Sequence, residues 1–199
     1  MTDVFISRPT YGGLVLDPQA KSHLIVAEGE GAAAVLDLFG TDPGDLSRAT
    51  LLYAQGVEAG AGRSERLSRL GAAEFYSAAT HEDVLARLDA NLLEATMGVR
   101  LYVAGTESFI GRVIARAAAV GVVPQSVIAE RRGTIARRVQ CVHCKHMTEA
   151  VVVSPYVCAG CGQHLFVRDH YSRRLAAFQG VRVDAEVPGD IPPAQELDP

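Results

Sequence analysis

The chain has 199 residues, of which 48 % are hydrophobic and 21 % charged, a composition typical of globular proteins. Aromatic residues make up only 6 % and tryptophan is absent, so platforms for stacking nucleic-acid bases are scarce. No apolar run reaches the roughly 18–20 residues that cross a bilayer, and the first residues lack the basic and apolar segments of a signal peptide. We therefore expect a cytoplasmic protein that binds neither nucleic acid nor membrane.

The net charge of −4 is distributed unevenly over three segments. Residues 1–130 carry 10 basic and 16 acidic side chains, residues 131–183 carry 9 and 2, and residues 184–199 carry none and 5. Such segregation indicates separate modules, and the basic module is suited to an acidic partner. The alternative interpretation is a solvated basic face that the acidic tail partly neutralises.

Between residues 14 and 130, short β-branched runs alternate with helical patterns. The predicted strands are His23–Ala27, Thr50–Ala54, Glu74–Ser77, Val99–Ala104 and Ser126–Ala129. The predicted helices begin at Gly31, after an N-cap at Thr80, and after an N-cap at Thr106, with stops at Gly40 and Gly121 for the first and last. This alternation predicts an α/β domain over residues 1–133, a small doubly wound parallel sheet of about five strands.

Helical periodicity stops at residues 131–133, and two cysteine pairs follow, in Cys141-Val-His-Cys144 and Cys158-Ala-Gly-Cys161. Two tight turns with this spacing bring four sulfurs to the corners of a tetrahedron. We predict that the four cysteines hold one zinc ion in a ribbon over residues 134–183, with strands in 150–154 and 165–167. A rubredoxin-like iron and two disulfides are the alternatives. His143 and His146 are interpreted as surface spacers.

The segment after the ribbon concentrates basic residues. Ser172 as an N-cap and Gly180 as a stop predict a short C-terminal helix. Arg137 and Arg138 precede the cysteines and Arg173 and Arg174 follow them, so a metal that closes the ribbon would gather these arginines into a partner-docking face. A solvated helix is an equally consistent interpretation. Residues 184–199 contain four prolines and five acids and are predicted to form a disordered acidic tail.

A glycine-bearing turn follows the first predicted strand, in Ala27-Glu-Gly-Glu-Gly31. A strand, a glycine turn and a helix are the elements on which α/β domains seat a pyrophosphate. Here Glu28 and Glu30 stand among the glycines and would repel a phosphate, and the third glycine of the dinucleotide motif is missing. The turn by itself is a weak motif.

Residues 24–130 resemble the nicotinamide-binding domain of the ferredoxin reductase family. The resemblance lies in the glycine turn, in Leu51-Leu-Tyr53 and in Leu101-Tyr-Val-Ala-Gly-Thr106. It implies that family's fold and a nucleotide site at Gly29, Gly31, Gly105 and Thr106. Ala104 stands where that family has a cysteine, and its flavin-binding barrel has no counterpart, so the site is interpreted as degenerate.

Over nearly its whole length the chain resembles the small subunit of bacterial dimethylamine monooxygenase, the DmmA-like family. The most specific marks are Cys158–Gly162 and Leu165–Phe178. The resemblance implies a multisubunit enzyme that uses NADPH and oxygen to demethylate dimethylamine to methylamine and formaldehyde. It further implies a haem-containing oxygenase subunit and a reductase subunit with FMN and a 2Fe–2S cluster.

No catalytic group is evident in this chain, since every cysteine belongs to the metal motif. We therefore expect a small non-haem subunit that helps assembly and electron transfer. The first alternative is a zinc-ribbon module that binds nucleic acid or protein and has no enzymatic role, and the acidic remainder of the chain argues against nucleic acid. The second alternative is a free-standing NAD-dependent reductase.

Overall fold

The computed structural model describes residues 7–41, 46–56 and 62–198. Residues 1–6, 42–45 and 57–61 of the predicted α/β segment and residue 199 of the predicted tail lie outside the described residues. The chain divides into two units: Tyr11–Gly133, here the α/β unit, and the residues on either side of it, here the ribbon unit. Residues 7–10 thus lie in the ribbon unit, although they fall within the predicted segment 1–133.

The α/β unit contains one five-stranded sheet. Its elements are β1 (Ser22–Glu28), α1 (Gly31–Thr41), β2 (Ala49–Ala54), α2 (Arg63–Ser68), β3 (Glu74–Ala78), α3 (His81–Glu94), β4 (Val99–Gly105), α4 (Glu107–Ala119) and β5 (Val127–Arg131). All neighbouring strands are parallel, in the order β3-β2-β1-β4-β5. The doubly wound prediction is confirmed, and the short α2 is an addition to it. No helix in the described ranges is long and apolar enough to cross a bilayer.

The central strand β1 is buried on both faces, which explains its continuous apolar run. Because side chains alternate along a strand, Leu24 and Val26 enter one core, with α3 and α4. Ile25 and Ala27 enter the other, with α1 and α2. The carboxyl ends of the five strands therefore meet at one edge, between two layers of helices.

The ribbon unit contains a second sheet of five strands. The strands of this unit are β6 (Arg137–Cys141), β7 (Met147–Val151), β8 (Val153–Ser154), β9 (Tyr156–Val157), β10 (His164–Ser172), β11 (Ala177–Arg182) and β12 (Gln195–Glu196). Of these, β8 and β12 pair with each other in a separate two-stranded sheet. The sheet order is β7-β6-β11-β10-β9, with β6 and β11 parallel and the other pairs antiparallel. A small core lies on one face and consists of Val139, Val151, Val167, Tyr171, Phe178 and Leu197.

The predicted C-terminal helix is wrong. Ser172 Oγ accepts a hydrogen bond from the Leu175 backbone N–H at 3.3 Å, the bond expected of an N-cap, but the turn closes a hairpin between β10 and β11. Tyr171 and Phe178 face each other across that hairpin, with ring centroids 5.0 Å apart. Burial of both rings in the sheet overrides the local helical pattern.

The prediction of a disordered tail is also wrong for the described residues 184–198, which we call the C-terminal strap. β12 pairs antiparallel with β8, and the Leu197 N–H donates to the Val152 carbonyl at 2.9 Å. Leu197 is only 8 % exposed and completes the small core. The Arg137 guanidinium donates to the Asp198 carbonyl at 3.2 Å. One buried apolar side chain and a few hydrogen bonds therefore hold a segment whose other side chains are mostly exposed.

We expect Leu197→Ala to destabilise the ribbon unit by about 2–3 kcal/mol, since the residue fills a core too small to collapse around the cavity. The measurement is amide hydrogen exchange in β6, β10 and β11. Ile191→Ala, at a strap position that is 39 % exposed, is the control and should change exchange little. Equal protection in both variants would show that the strap contributes nothing to the ribbon core.

Candidate metal centre and the carboxyl edge of the α/β sheet

Each cysteine pair lies in a tight turn with the same hydrogen bonds. In the first turn the Cys141 N–H donates to the His146 carbonyl at 3.0 Å, and in the second the Cys158 N–H donates to the Gln163 carbonyl at 2.9 Å. The first turn follows β6 and the second follows β9. The two turns are therefore equivalent knuckles, presented by two strands of one sheet.

The residue after each second cysteine has left-handed backbone. Lys145 has φ 65° and Gly162 has φ 71°, and each N–H donates to the carbonyl of the first cysteine in its knuckle, at 2.9 and 2.8 Å. Glycine adopts this conformation freely, whereas lysine is strained there. The first knuckle thus needs its surroundings to hold it, and a metal ion would supply that restraint.

The four sulfurs lie within 4.8 Å of one another. Cys141 Sγ is 3.8 Å from Cys161 Sγ, and Cys144 Sγ is 3.7 Å from Cys158 Sγ. A tetrahedral ion with metal–sulfur bonds of about 2.3 Å requires sulfurs about 3.8 Å apart. All four cysteines are free thiols, so the disulfide alternative does not describe this structure. The cluster fits a divalent metal.

The charge of the cluster also calls for a cation. Burial disfavours the Cys141 thiolate, but N–H groups of Cys144 and His143 that donate to its sulfur leave its pKa below the ordinary value. The Gln163 N–H favours the Cys161 thiolate, yet burial and the hydrogen bonds with the other sulfurs raise its pKa to about 12. The cluster therefore resists full ionisation until a metal displaces the protons.

Gly160 and His146 hold the two knuckles against each other. A Cβ at Gly160 would lie 2.6 Å from His146 Cβ and 3.1 Å from Cys144 Sγ, so only glycine fits. His143 and His146 are exposed, and neither belongs to the sulfur cluster. This agrees with their interpretation as spacers, although His146 also packs between the knuckles.

The four predicted docking arginines lie at the end of the sheet away from the cysteines. Val139 pairs with Phe178, which places Arg137 and Arg138 beside the hairpin turn that carries Arg173 and Arg174. Strand pairing between β6 and β11 brings them together, at the opposite end of β6 from the sulfur cluster that was expected to gather them.

Arg137 is not a docking residue, because it is only 4 % exposed. Its guanidinium donates to Asp169 Oδ1 at 2.8 Å and lies 4.6 Å from the centre of the Phe178 ring. Arg138 is mostly covered and pairs with Glu149 at 2.9 Å. Arg173 and Arg174 are exposed and remain available to a partner.

At the carboxyl edge of the α/β sheet, β1 and β4 are neighbours, and the four predicted nucleotide-site residues lie at their ends. A Cβ at Gly31 would lie 2.1 Å from the Ala104 carbonyl oxygen, so α1 begins in direct contact with the end of β4. Gly29 and Gly105 have φ 51° and 155°. Thr106 is the N-cap of α4 and accepts from the Phe109 N–H at 3.4 Å. The predicted residues are thus brought together.

The Glu28 carboxylate fills the place between them. Its Oε2 accepts from the Thr106 N–H at 2.8 Å and from the Thr106 hydroxyl at 2.9 Å, and its Oε1 accepts from His81 Nε2 at 2.9 Å. Glu28 is only 8 % exposed. A buried carboxylate therefore occupies the helix N-terminus where such folds seat a phosphate.

His81 was not identified from the sequence. It is the first residue of α3, it follows β3 to the same edge, and its ring centre lies 5.3 Å from that of Phe109. The bond to Glu28 raises the pKa of His81 above its ordinary value. Burial would raise the pKa of Glu28, but the bonds from His81 and Thr106 lower it below the ordinary value. The only sequence sign was a histidine just after a strand end.

Two family models match the chain. The model described as the N-terminal domain of dimethylamine monooxygenase subunit DmmA-like proteins covers residues 4–127, and the model of their C-terminal domain covers residues 138–181. The chain belongs to the DmmA-like family. The resemblance stated from the sequence is confirmed at this level. The match to the N-terminal domain falls largely in the α/β unit, and the match to the C-terminal domain falls within the ribbon unit.

One curated relative of the DmmA-like chain is the heme-dependent oxidative N-demethylase delta subunit of Ectopseudomonas mendocina (strain ymp). It is 30 % identical over 182 residues, which are 92 % of this chain and 91 % of the relative. The two proteins are therefore comparable along almost their whole length.

Solved structures show weaker likenesses. A flavohemoglobin from Malassezia yamatoensis is 16 % identical, with a TM-score of 0.42 over 60 % of this chain and 33 % of that one. The flavohem-like FAD/NAD binding domain of nitric oxide dioxygenase from Vibrio cholerae O1 biovar El Tor is 17 % identical, with a TM-score of 0.43 over 63 % and 56 %. The chain thus spans about a third and just over half of these two proteins. Likenesses this weak carry no argument, and the fold assignment rests on the sheet order of the DmmA-like chain itself.

We expect the purified DmmA-like chain to be colourless, with about one zinc ion per chain by elemental analysis. Cys158→Ser should lose the ion and unfold the ribbon unit while the α/β unit stays folded, because metal binding and ribbon folding are coupled. Amide hydrogen exchange distinguishes the two units, and His143→Ala is the control that should keep its metal. A red protein with about one iron per chain would show that the site is an electron-carrying iron centre and not a zinc site.

We also expect the DmmA-like chain to show no NADPH binding in the micromolar range, since Glu28 fills the anion position with charge of the wrong sign. Titration calorimetry measures this directly. Glu28→Gln keeps the shape of the side chain and removes the charge, so binding gained in this variant assigns the exclusion to charge. A micromolar dissociation constant for the parent chain, about −8 kcal/mol, would show that the edge is a working nucleotide site.

Proposed function

We propose that this chain is the small non-haem subunit of a haem-dependent oxidative N-demethylase, a monooxygenase, and that it helps assembly and aligns the path of electrons. The single observation that carries the proposal is the match to a delta subunit over 92 % of this chain and 91 % of the relative. Because nearly all of both chains is matched, a corresponding position in an equivalent complex is the simplest assignment.

The structure of the chain fits a role without chemistry of its own. All four cysteines lie in one cluster, so they leave no thiol for catalysis. The Glu28 carboxylate occupies the carboxyl edge, so we assign use of NADPH to another subunit. The proposed metal is zinc, held by Cys141, Cys144, Cys158 and Cys161, and it would supply a fixed geometry to the two knuckles.

The proposed reaction is the conversion of dimethylamine to methylamine and formaldehyde. One molecule of oxygen takes two electrons from NADPH and two from the oxidised methyl group of the amine. One of its oxygen atoms leaves in formaldehyde and the other in water. The family description supports the amine as substrate. We assign oxygen chemistry to a haem-containing oxygenase subunit, and electron delivery to a reductase subunit with FMN and a 2Fe–2S cluster. Free thiols at the cluster are consistent with assembly in the cytoplasm.

We propose Arg173 and Arg174 as one docking contact. They occupy the exposed turn between β10 and β11, whose strands are fixed by the packing of Tyr171 on Phe178. Two guanidinium groups on a rigid turn are suited to carboxylates of a partner, and such contacts increase the rate of association.

We expect Arg173→Ala/Arg174→Ala to keep its metal and to assemble more slowly with the oxygenase and reductase subunits, with weaker dependence on salt. The measurement is co-purification of the three proteins at low and moderate salt, with zinc determined in parallel. Arg66→Ala/Arg69→Ala removes two exposed arginines, one in the last turn of α2 and one at its C-cap, and is the matched control. If the test variant assembles as well as the parent at both salt concentrations, Arg173 and Arg174 are solvated surface residues and not a docking contact. Failure of the parent chain to assemble would contradict the proposed function itself.

A further inference from the structure

The face of the ribbon sheet opposite its core carries apolar side chains. Val181 pairs with Phe166, and Val142 continues the register of β6 beside Val181, with its N–H donating to the Gly180 carbonyl at 3.0 Å. Val157 pairs with His164, which lies two residues before Phe166 and so on the same face. We call Val142, Val157, Phe166 and Val181 the outer apolar patch.

Alternation along β10 shows that this exposure is built into the strand. Leu165 and Val167 point into the ribbon unit, with 0 % and 4 % exposure, whereas Phe166 between them is 42 % exposed. Val157 is 56 % and Val142 38 % exposed. Four large apolar groups at adjoining positions of one face are more than scattered surface hydrophobicity, and such patches mark interaction sites.

Two cations flank the patch. The Arg168 guanidinium lies 5.5 Å from the centre of the Phe166 ring. Lys145 Nζ donates to the Val142 carbonyl at 2.6 Å. Neither side chain forms an ion pair with any residue in the described part of the chain. The rim of the patch is therefore positive and uncompensated.

The patch is separate from the arginine turn. Phe166 lies near the start of β10, next to the second knuckle, and Arg173 follows the end of the same strand. At about 3.3 Å per residue, the two positions are roughly 20 Å apart along the hairpin. A variant at one position therefore leaves the other intact.

We propose that the outer apolar patch is the main contact of this chain with a partner subunit whose matching surface is apolar at its centre and acidic at its rim. The proposal rests on the proposed function and deepens it. Charge complementarity selects this occupant, because carboxylates on the partner would meet Arg168 and Lys145 while apolar groups cover Phe166. Two copies of this chain docked through the patch would set like charges against each other. A nucleic acid does not fit the patch, because Phe166 is the one aromatic ring there on which a base could stack.

The test compares Phe166→Ala with the parent chain in assembly with the oxygenase and reductase subunits, by titration of immobilised chain. We expect at least about tenfold weaker association for Phe166→Ala, since buried aromatic residues dominate interfaces. Arg168→Glu should also weaken association and reduce its dependence on salt. Leu93→Ala, which removes a 79 % exposed leucine of α3, is the control that should bind like the parent. Zinc content, measured in every variant, should stay unchanged.

Each other outcome has a definite meaning. If the parent binds its partners and Phe166→Ala and Arg168→Glu bind like the parent, the patch proposal is overturned and the proposed function stands, whatever the result for Arg173→Ala/Arg174→Ala. If the parent binds neither partner, both are overturned. A dimer of the parent in sedimentation equilibrium that Phe166→Ala dissociates, or a DNA oligonucleotide that the parent binds and Phe166→Ala does not, would also overturn the proposed occupant.

Discussion

Four sulfurs within 4.8 Å of one another are the constraint on which the ribbon unit depends. Strands β6 and β9 end at the knuckles, so the positions of both are fixed by whatever holds the sulfurs together. Without a cation the cluster keeps protons on some of its sulfurs, and a small core by itself gives the ribbon unit little stability. A divalent metal would replace those protons and fix both knuckles at once.

The α/β unit solves the same problem of buried negative charge without a metal. Glu28 is neutralised by His81 and by the N-terminus of α4, through the Thr106 N–H and hydroxyl. In a nucleotide-binding domain those groups would face a ligand. Here they contact a side chain of the same chain, so the Glu28 carboxylate occupies the carboxyl edge of the sheet.

Local patterns predicted the parts of the fold that local sequence determines. The strands of the parallel sheet are continuous apolar runs, and the helices after Thr80 and Thr106 have N-caps whose hydroxyls accept from the N–H three residues on. The cysteine cluster was predicted because the spacing of the cysteines is specific by itself. The family resemblance was likewise carried by a contiguous tract of sequence.

The errors came from contacts between distant residues. Ser172 and the apolar run up to Phe178 have a helical pattern, but the pairing of Phe178 with Tyr171 across the hairpin stabilises a strand instead. The strap was predicted to be disordered from its composition. The sequence around Leu197 does not show that this side chain packs into a core formed by distant residues. Arg137 was taken as a surface residue because its neighbours Asp169 and Phe178 lie far along the chain.

The ribbon unit is built from both ends of the chain, and the α/β unit is inserted between them. Ser7 donates to the Asp169 carbonyl at 3.3 Å and accepts from the Tyr171 N–H at 2.7 Å, while Leu197 closes the core from the other end. During synthesis the α/β unit can fold as soon as Gly133 has left the ribosome, because all of its strands are then present. The core of the ribbon unit is complete only once Leu197 has been synthesised. A nascent chain that has not yet reached Leu197 would therefore carry a folded α/β unit and a ribbon unit with an incomplete core, whose thiols are open to oxidation until a metal binds them.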